Sequence, residues 1–417
     1  MSKEPNKDKP QAEIAKQLLQ YAQPQEKALA IKDHLSSLSI GIPAEDEESE
    51  FRVALRPEAV RLLVNNGNEV RIEAGAGKKC QYDDHAYSEA GAKVCYDPEE
   101  VFQSEIILKV APPTLGEIEM IPPRKTLISA LHLAGVTPEY LHALVRKKIT
   151  AIAYEMIEDS EGGLPVVRAM SEIAGSTVIL IAAEYLSSAN GGQGIMLGGI
   201  TGVAPTNVVI LGAGTVGEYA ARAALGLGAN VQIFDNNTAM LRRLKYNLAQ
   251  PHLFTSILDT ETLQTALTQA DVVIGAIRPE KGRTPCVVSE EMVARMKAGS
   301  VIVDVSIDHG GCIETSETTT HTHPTFKKYG VIHYCVPNIP SRVARTATSV
   351  LSNFFAPLLV RAGEMGSVED LVFTDGYFSR GVYAYQGNLT NQYLSKKFNM
   401  RYKDLSLLVA AKGGFSS

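Results

Sequence analysis

Short runs of apolar residues alternate along this chain with stretches whose apolar positions recur every three to four residues, the signature of strands interleaved with helices. Leu38 to Ile42 predicts a first strand, Pro57 to Asn66 a helix and Glu69 to Glu73 a strand. Ile106 to Val110 predicts a strand that opens into APPTLGE. Thr126 to Leu133, a helix near Pro138 to Lys147, and the strand ITAIAYE at 149–155 continue the series. EDSEGGLPVV then interrupts it with Gly, Pro and acidic residues, and Ser171 to Leu186 predicts a long helix. After a Gly-rich bridge at 191–202, a second and better-marked series starts at Asn207: VVILG, a helix over Val216 to Leu227, VQIFD, another helix, DVVIGAI, and SVIVDVS from 300. A long helical stretch follows Ser341, and a polar tail is expected to rejoin the first series.

Such alternation implies parallel sheets covered by helices on both faces. The expected fold is α/β, with two doubly wound, Rossmann-like parallel-sheet domains and a cleft between them. Residues 37–165 with 345–417 form one discontinuous domain in this reading, and 166–344 the other. Residues 1–36 are expected to be a polar, partly amphipathic helical extension containing Pro24. The two halves share architecture without a short-period repeat.

Composition narrows the function. The chain is 45% hydrophobic and 21% charged, lacks tryptophan and carries a net charge of −6. Its charges are mixed rather than gathered into a basic face, so nucleic acid is not the expected partner and a small molecule is. Five widely spaced cysteines, Cys80, Cys95, Cys286, Cys312 and Cys335, show no metal-ligand rhythm and fit reduced thiols in the cytoplasm. The start MSKEPNKDKPQAE lacks the apolar core of a signal peptide, and no uncharged apolar run suggests a membrane span. His321 and His323 have no third ligand at a usual spacing, so no metal is expected.

Between Asn207 and Asp235 an apolar strand runs into Gly212-x-Gly214-x-x-Gly217 and then a helix opened by Thr215 and Val216. The first glycine permits the tight turn, the second lets backbone approach a pyrophosphate, and the third lets helix and strand pack closely. The helix N-terminus stabilises the phosphates through its free N–H groups and dipole. Asp235 closes the next strand 18 residues beyond Gly217, where a carboxylate accepts the ribose 2′-hydroxyl and repels a 2′-phosphate. NAD is therefore expected over NADP, with Arg242 and Arg243 read as a solvated helix face.

Several further stretches fall in a specific order: EFRVALRP at 50–57, IILKV at 106–110, LHLAG at 131–135, AYE at 153–155 and MSEIAG at 170–175. GGITGVAPTNVVILGAGTVG, SVIVDVSIDHGGCIETS at 300–316, HYCVPNIP at 333–340 and GVYAYQGNLT at 381–390 complete the set. From about Ser39 to near the C-terminus, the chain resembles the alanine dehydrogenase and transhydrogenase NAD-subunit family. The resemblance implies an NAD-dependent amino-acid dehydrogenase of amino-acid catabolism, which interconverts L-alanine with pyruvate and ammonia. It also implies a homo-oligomer, hexamer or dimer.

That chemistry needs a carboxylate anchor, polarisation and proton transfer. Arg52 offers a planar fork for a carboxylate, the plain alternative being a surface arginine paired with Glu48 or Glu50. Lys109 ends an otherwise apolar strand, where it either meets substrate oxygens or snorkels to solvent. The resemblance assigns it to the carboxylate or carbonyl of pyruvate, with a part in catalysis. His132 can exchange protons near neutral pH, or be a satisfied core histidine; the resemblance makes it catalytic. Asp308 follows a strand at the cleft, either as a second catalytic group, as the resemblance implies, or as an Asx-turn carboxylate. Ser171 and Asn338 match family positions at the nicotinamide end of the cofactor.

The chain departs from the family pattern at Ala130 and Arg56, changes expected to alter the pocket wall, and also at Arg342 and Ala344 and in its extended lead-in. Two alternatives stay open: a saccharopine-type or other 2-amino acid dehydrogenase, and a transhydrogenase NAD-binding subunit, against which Lys109 and His132 together speak.

Overall fold

The computed structural model describes residues 37–413 except 134, 280 and 281; the expected extension over 1–36 lies outside the described residues. Its strands are β1 (Ser39–Ile42), β2 (Glu69–Glu73), β3 (Lys93–Cys95), β4 (Ile106–Leu108), β5 (Thr126–Ser129) and β6 (Thr150–Ala153), then β7 (Asn207–Leu211), β8 (Asn230–Phe234) and β9 (Leu253–Ser256). β10 (Val272–Gly275), β11 (Val301–Asp304), β12 (Thr325–Lys328), β13 (Val331–Tyr334), β14 (Val382–Tyr385) and β15 (Asn388–Leu389) complete the set.

They form two sheets, ordered β15-β14-β6-β5-β4-β1-β2-β3 and β12-β13-β11-β10-β7-β8-β9. Each contains the doubly wound order 3-2-1-4-5-6, and all of those pairings are parallel. Antiparallel strands appear only at the added edges, β14 and β15 on the first sheet and β12 on the second. The strand order reverses between β1 and β4 and between β7 and β10, and ligand crevices of such sheets lie outside the strand ends at these switch points.

Residue pattern explains the parallel cores. Ile106 and Leu108 enter one apolar cluster while Ile107 enters the cluster on the opposite face. Val208 and Ile210 are likewise separated from Val209 and Leu211. A strand covered on both faces reads as an unbroken apolar run, and each fully buried Ile, Val or Leu contributes about 1.5–3 kcal/mol.

Two long helices connect the sheets: α1 (Pro165–Leu186) and, after α2 (Thr215–Gly226), α3 (Ala344–Met365). α1 starts earlier than the pattern suggested because Pro165 sits in its first turn, where a missing N–H costs nothing. α1 meets α2 closely at Gly175, where a Cβ would stand 2.4 Å from the carbonyl oxygen of Val216. By length and hydropathy, two helical stretches, Pro165–Leu186 and Ile339–Met365, match a membrane span, contrary to the impression left by their charged residues. Both are core elements here: Val178, Ile181 and Ala182 face the second sheet's core, and Leu351, Phe355 and Leu359 the first.

α3 also fixes the loop that follows β1. Backbone N–H groups of Phe51, Val53 and Arg56 donate to the hydroxyls of Ser341 (2.8 Å), Thr348 (3.0 Å) and Ser352 (2.8 Å). Thr348 and Ser352 are one helical turn apart, so an extended segment lies along a helix as it would along a neighbouring strand.

Candidate active site

The segments that carry the expected site residues leave the carboxyl ends of strands in both sheets. At the β7–α2 turn, Gly212 has φ +110°, and a Cβ on Gly217 would stand 2.0 Å from the Gly212 carbonyl oxygen. Around Gly214, by contrast, no heavy atom lies within 4 Å of where a Cβ would be, so this backbone is open to a ligand. Thr215 and Val216 are the first residues of α2. Asp235 is half-buried beside the turn, with Oδ2 accepting the N–H of Ala213 and Oδ1 that of Asn237, both at 2.7 Å. A tight turn, an open second glycine and a fixed acid fit NAD. Arg242 and Arg243 are exposed, the latter paired with Glu218 at 3.5 Å.

In the first sheet, Arg52 is 5% exposed and Glu50 4%. Glu50 takes the Arg52 guanidinium side-on, Nε to Oε1 at 2.7 Å and Nη2 to Oε2 at 2.5 Å. Burial works against both charges, yet their attraction wins: Arg52 is raised and Glu50 lowered from their ordinary values. The arginine is thus paired with Glu50, as the plain alternative held, but inside the protein rather than at its surface. Nη1, at the other end of the guanidinium, faces Met170 Sδ at 3.4 Å.

Lys109, 4% exposed, donates from Nζ to Glu45 Oε2 at 2.6 Å and lies 3.5 Å from Glu117 Oε1. It does not snorkel into solvent. Burial alone would lower its pKa; the neighbouring Glu45 and Glu117 raise it.

His132 follows β5 with φ +48°, a left-handed conformation that few non-glycine residues adopt. Glu155 holds that turn, its Oε1 accepting the N–H groups of Leu131 (2.7 Å) and His132 (3.2 Å). The His132 residue is exposed, not a core histidine. Strained backbone of this kind persists where surrounding contacts over-determine it, commonly at functional sites.

The second sheet supplies Asp308 and Asn338. Asn338, at φ +56°, donates its backbone N–H to Asp308 Oδ1 at 3.0 Å and its side-chain Nδ2 to Glu50 Oε2 at 2.7 Å. It therefore bridges the sheets. The Asp308 carboxyl is raised by the packing around it, against the pull of the Asn338 N–H and of His309, His132 and Arg52. Asp308 thus lies within electrostatic reach of both Arg52 and His132. Ser171 is half-buried on α1, next in sequence to the Met170 that faces Arg52.

Comparison with known proteins decides the family. The model of the alanine dehydrogenase/PNT N-terminal domain matches residues 41–174, and that of the C-terminal domain residues 178–392. The chain belongs to the alanine dehydrogenase/PNT family. Alanine dehydrogenase of Halomonas elongata is 38% identical over 373 residues, covering 89% of this chain and 100% of that one. The Methanococcus maripaludis alanine dehydrogenase is 41% identical over 367 residues, 87% of this chain and 97% of its own. A solved L-alanine dehydrogenase superposes with a TM-score of 0.81 at 39% identity, covering 87% of this chain and 99% of that one. A transhydrogenase from Sinorhizobium meliloti shares the fold, with a TM-score of 0.72, 24% identity and 85% and 99% coverage.

Against the alanine dehydrogenase/PNT pattern, the substituted arginines are occupied elsewhere. Arg56 reaches Asn353 Oδ1 (3.3 Å) and Glu58 (3.7 Å), and Arg342 pairs with Glu184 at 2.7 Å above the Tyr334 ring. Ala130 is buried. The His321 ring lies tilted against that of Phe51, with ring centroids 4.7 Å apart. Among the described residues, no three His, Cys, Asp or Glu side chains gather as a metal site.

Glu45 and Glu155 escaped the sequence reading. Glu45 sits in the acidic run AEDEESE, where nothing marks one carboxylate as buried. Glu155 ends the AYE motif, which was the available signal.

Proposed function

We propose that this protein is an NAD-dependent alanine dehydrogenase, converting L-alanine, NAD and water reversibly to pyruvate, ammonium, NADH and a proton. The supporting observation is the pair of buried cations, Arg52 in the loop after β1 and Lys109 at the end of β4, with the Glu50 partner of Arg52 bonded to Asn338 of the second sheet and Arg52 acting on the charge of Asp308. The names of the relatives agree with this reading. Gly212–Gly217, with Thr215 and Val216 at the helix start and Ser171 and Asn338 on the nicotinamide side, would hold NAD, which would supply the hydride acceptor.

Arg52 binds the substrate carboxylate. Its side-on fork is committed to Glu50, but its Nη1 end has only a thioether neighbour, and sulfur is a weak acceptor that a carboxylate displaces. Lys109 has three N–H donors and meets the carboxylate or the developing carbonyl oxygen. His132 takes a proton from the attacking water and returns it as ammonia leaves. Asp308 stabilises the cationic imine and shares in that proton transfer. Residues 37–165 and 345–417 serve as the substrate domain and 166–344 as the nucleotide domain, and their closure excludes water.

The protein works as a homo-oligomer in the cytoplasm. Exposed apolar residues on one loop, Met196 (61%), Ile200 (57%) and Val203 (61%), support the first statement, and five free cysteines the second. Light scattering distinguishes hexamer, dimer and monomer.

Appearance of NADH absorbance with NAD and L-alanine tests the reaction. Parallel assays use 2-oxoglutarate, lysine and NADH, and hydride exchange between dinucleotides. Turnover confined to either parallel assay would refute the proposal.

A further inference from the structure

A buried cation is costly to remove from water unless paired. Here each has its own carboxylate: Glu50 for Arg52, and for Lys109 a residue outside the motifs quoted above, Glu45. Glu45 follows β1 by three residues, and its side chain is 5% exposed. One oxygen accepts Lys109 Nζ at 2.6 Å and, more distantly, Ala111 N–H at 3.3 Å, while the other accepts Val110 N–H at 2.6 Å. It ties the carboxyl ends of β1 and β4 across the switch point of the first sheet. The other acid near Lys109, Glu117, is committed to its own helix, where it closes a capping box with Thr114.

We propose that Glu45 is the positioning residue for Lys109: it fixes Nζ at the end of β4 and offsets its charge, leaving an N–H of the ammonium directed to the substrate. This rests on the reading of Lys109 as a substrate contact. With Glu45 ionised, the Arg52–Glu50 and Lys109–Glu45 pairs are each neutral, and a 2-oxo acid anion enters a site whose cations are already held in place. Burial pushes Glu45 up to about 7 against the pull of Lys109, with Glu50 adding to the rise, so this pair responds to pH near neutrality. Glu117 faces the pair through Lys109, and Arg52 and Tyr154 also feel the Glu45 charge.

The test is a double-mutant cycle on the full-length protein, with kcat and KM for pyruvate and the affinity for NADH measured against pH. Glu45→Gln is expected to raise the pyruvate KM about tenfold, the equivalent of one lost charge-assisted hydrogen bond. NADH affinity should stay within about twofold, the limb of the kcat/KM profile near neutrality should shift, and Glu45→Asp should recover part of the loss. In a Lys109→Ala background, Glu45→Gln should add nothing. A wild-type KM and pH profile for Glu45→Gln, or full additivity with Lys109→Ala, overturns the proposal while leaving the role of Lys109 intact. A wild-type KM for Lys109→Ala overturns both. Should Glu45→Gln fail to fold, Glu45→Asp decides alone: its shorter reach must raise KM with NADH binding kept, and an unchanged KM counts against the proposal.

Discussion

Glu50 grips Arg52 from the side, leaving the Nη1 end of the guanidinium against the Met170 thioether at 3.4 Å. The same Glu50 receives Asn338 Nδ2 at 2.7 Å, so the carboxylate that holds Arg52 on one sheet is linked directly to a loop of the other.

Replacing the fork by a point charge tests that anchor. Arg52→Lys keeps the charge and loses the bidentate geometry, so the pyruvate KM should rise about 10–100-fold, matching roughly 1.5–3 kcal/mol for a hydrogen bond to a charged group. NADH titration should be unaffected. An unchanged KM would remove Arg52 from the substrate site.

The glycines of the nucleotide turn separate packing from binding. Gly217→Ala puts a Cβ 2.0 Å from the Gly212 carbonyl oxygen and should cost about 1–3 kcal/mol of stability along with NADH binding. Gly214→Ala meets nothing within 4 Å. It should melt like the wild type yet bind NADH roughly tenfold or more weakly, since its methyl group stands where the pyrophosphate approaches. Thermal melts and NADH fluorescence titrations check both, and a Gly214→Ala variant with full affinity would contradict the site.

Cofactor choice follows from Asp235. Asp235→Ser removes the charge that repels a 2′-phosphate, so the ratio of kcat/KM for NAD to that for NADP should fall by about tenfold or more. A ratio unchanged from wild type would place the discriminating group elsewhere.

The sequence carried the fold class through alternation of apolar runs with helical stretches, and both sheets show the doubly wound order expected. Strand ends were less legible. Ile106 to Val110 and Thr126 to Leu133 read as continuous strands, but the ladders end at Leu108 and Ser129, short of Lys109 and His132. β12, β14 and β15 depend on antiparallel pairing with distant segments, which local pattern does not encode. Within the site, Arg52 stood out in the EFRVALRP motif and Lys109 because a cation in an apolar run is conspicuous. Glu45, one acid within an acidic run, was not, since only tertiary contact distinguishes it.

Stability should record Glu45 as well. Its folded-state pKa of about 7 lies above the ordinary 4.5, so its contribution is complete below about pH 4.5 and is lost as pH rises through about 7. The wild type should therefore lose stability across that window relative to Glu45→Gln. Parallel melting-temperature curves for the two proteins would refute this.

The central claim is that His132, held in a strained turn by Glu155, moves protons for a substrate anchored by the first sheet and oxidised by a cofactor bound to the second. Steady-state turnover of His132→Ala with NAD and L-alanine, with NADH affinity measured on the same sample, tests it most directly. The kcat should fall by about 10²–10⁴ with NADH affinity nearly unchanged. Turnover at the wild-type rate would contradict it.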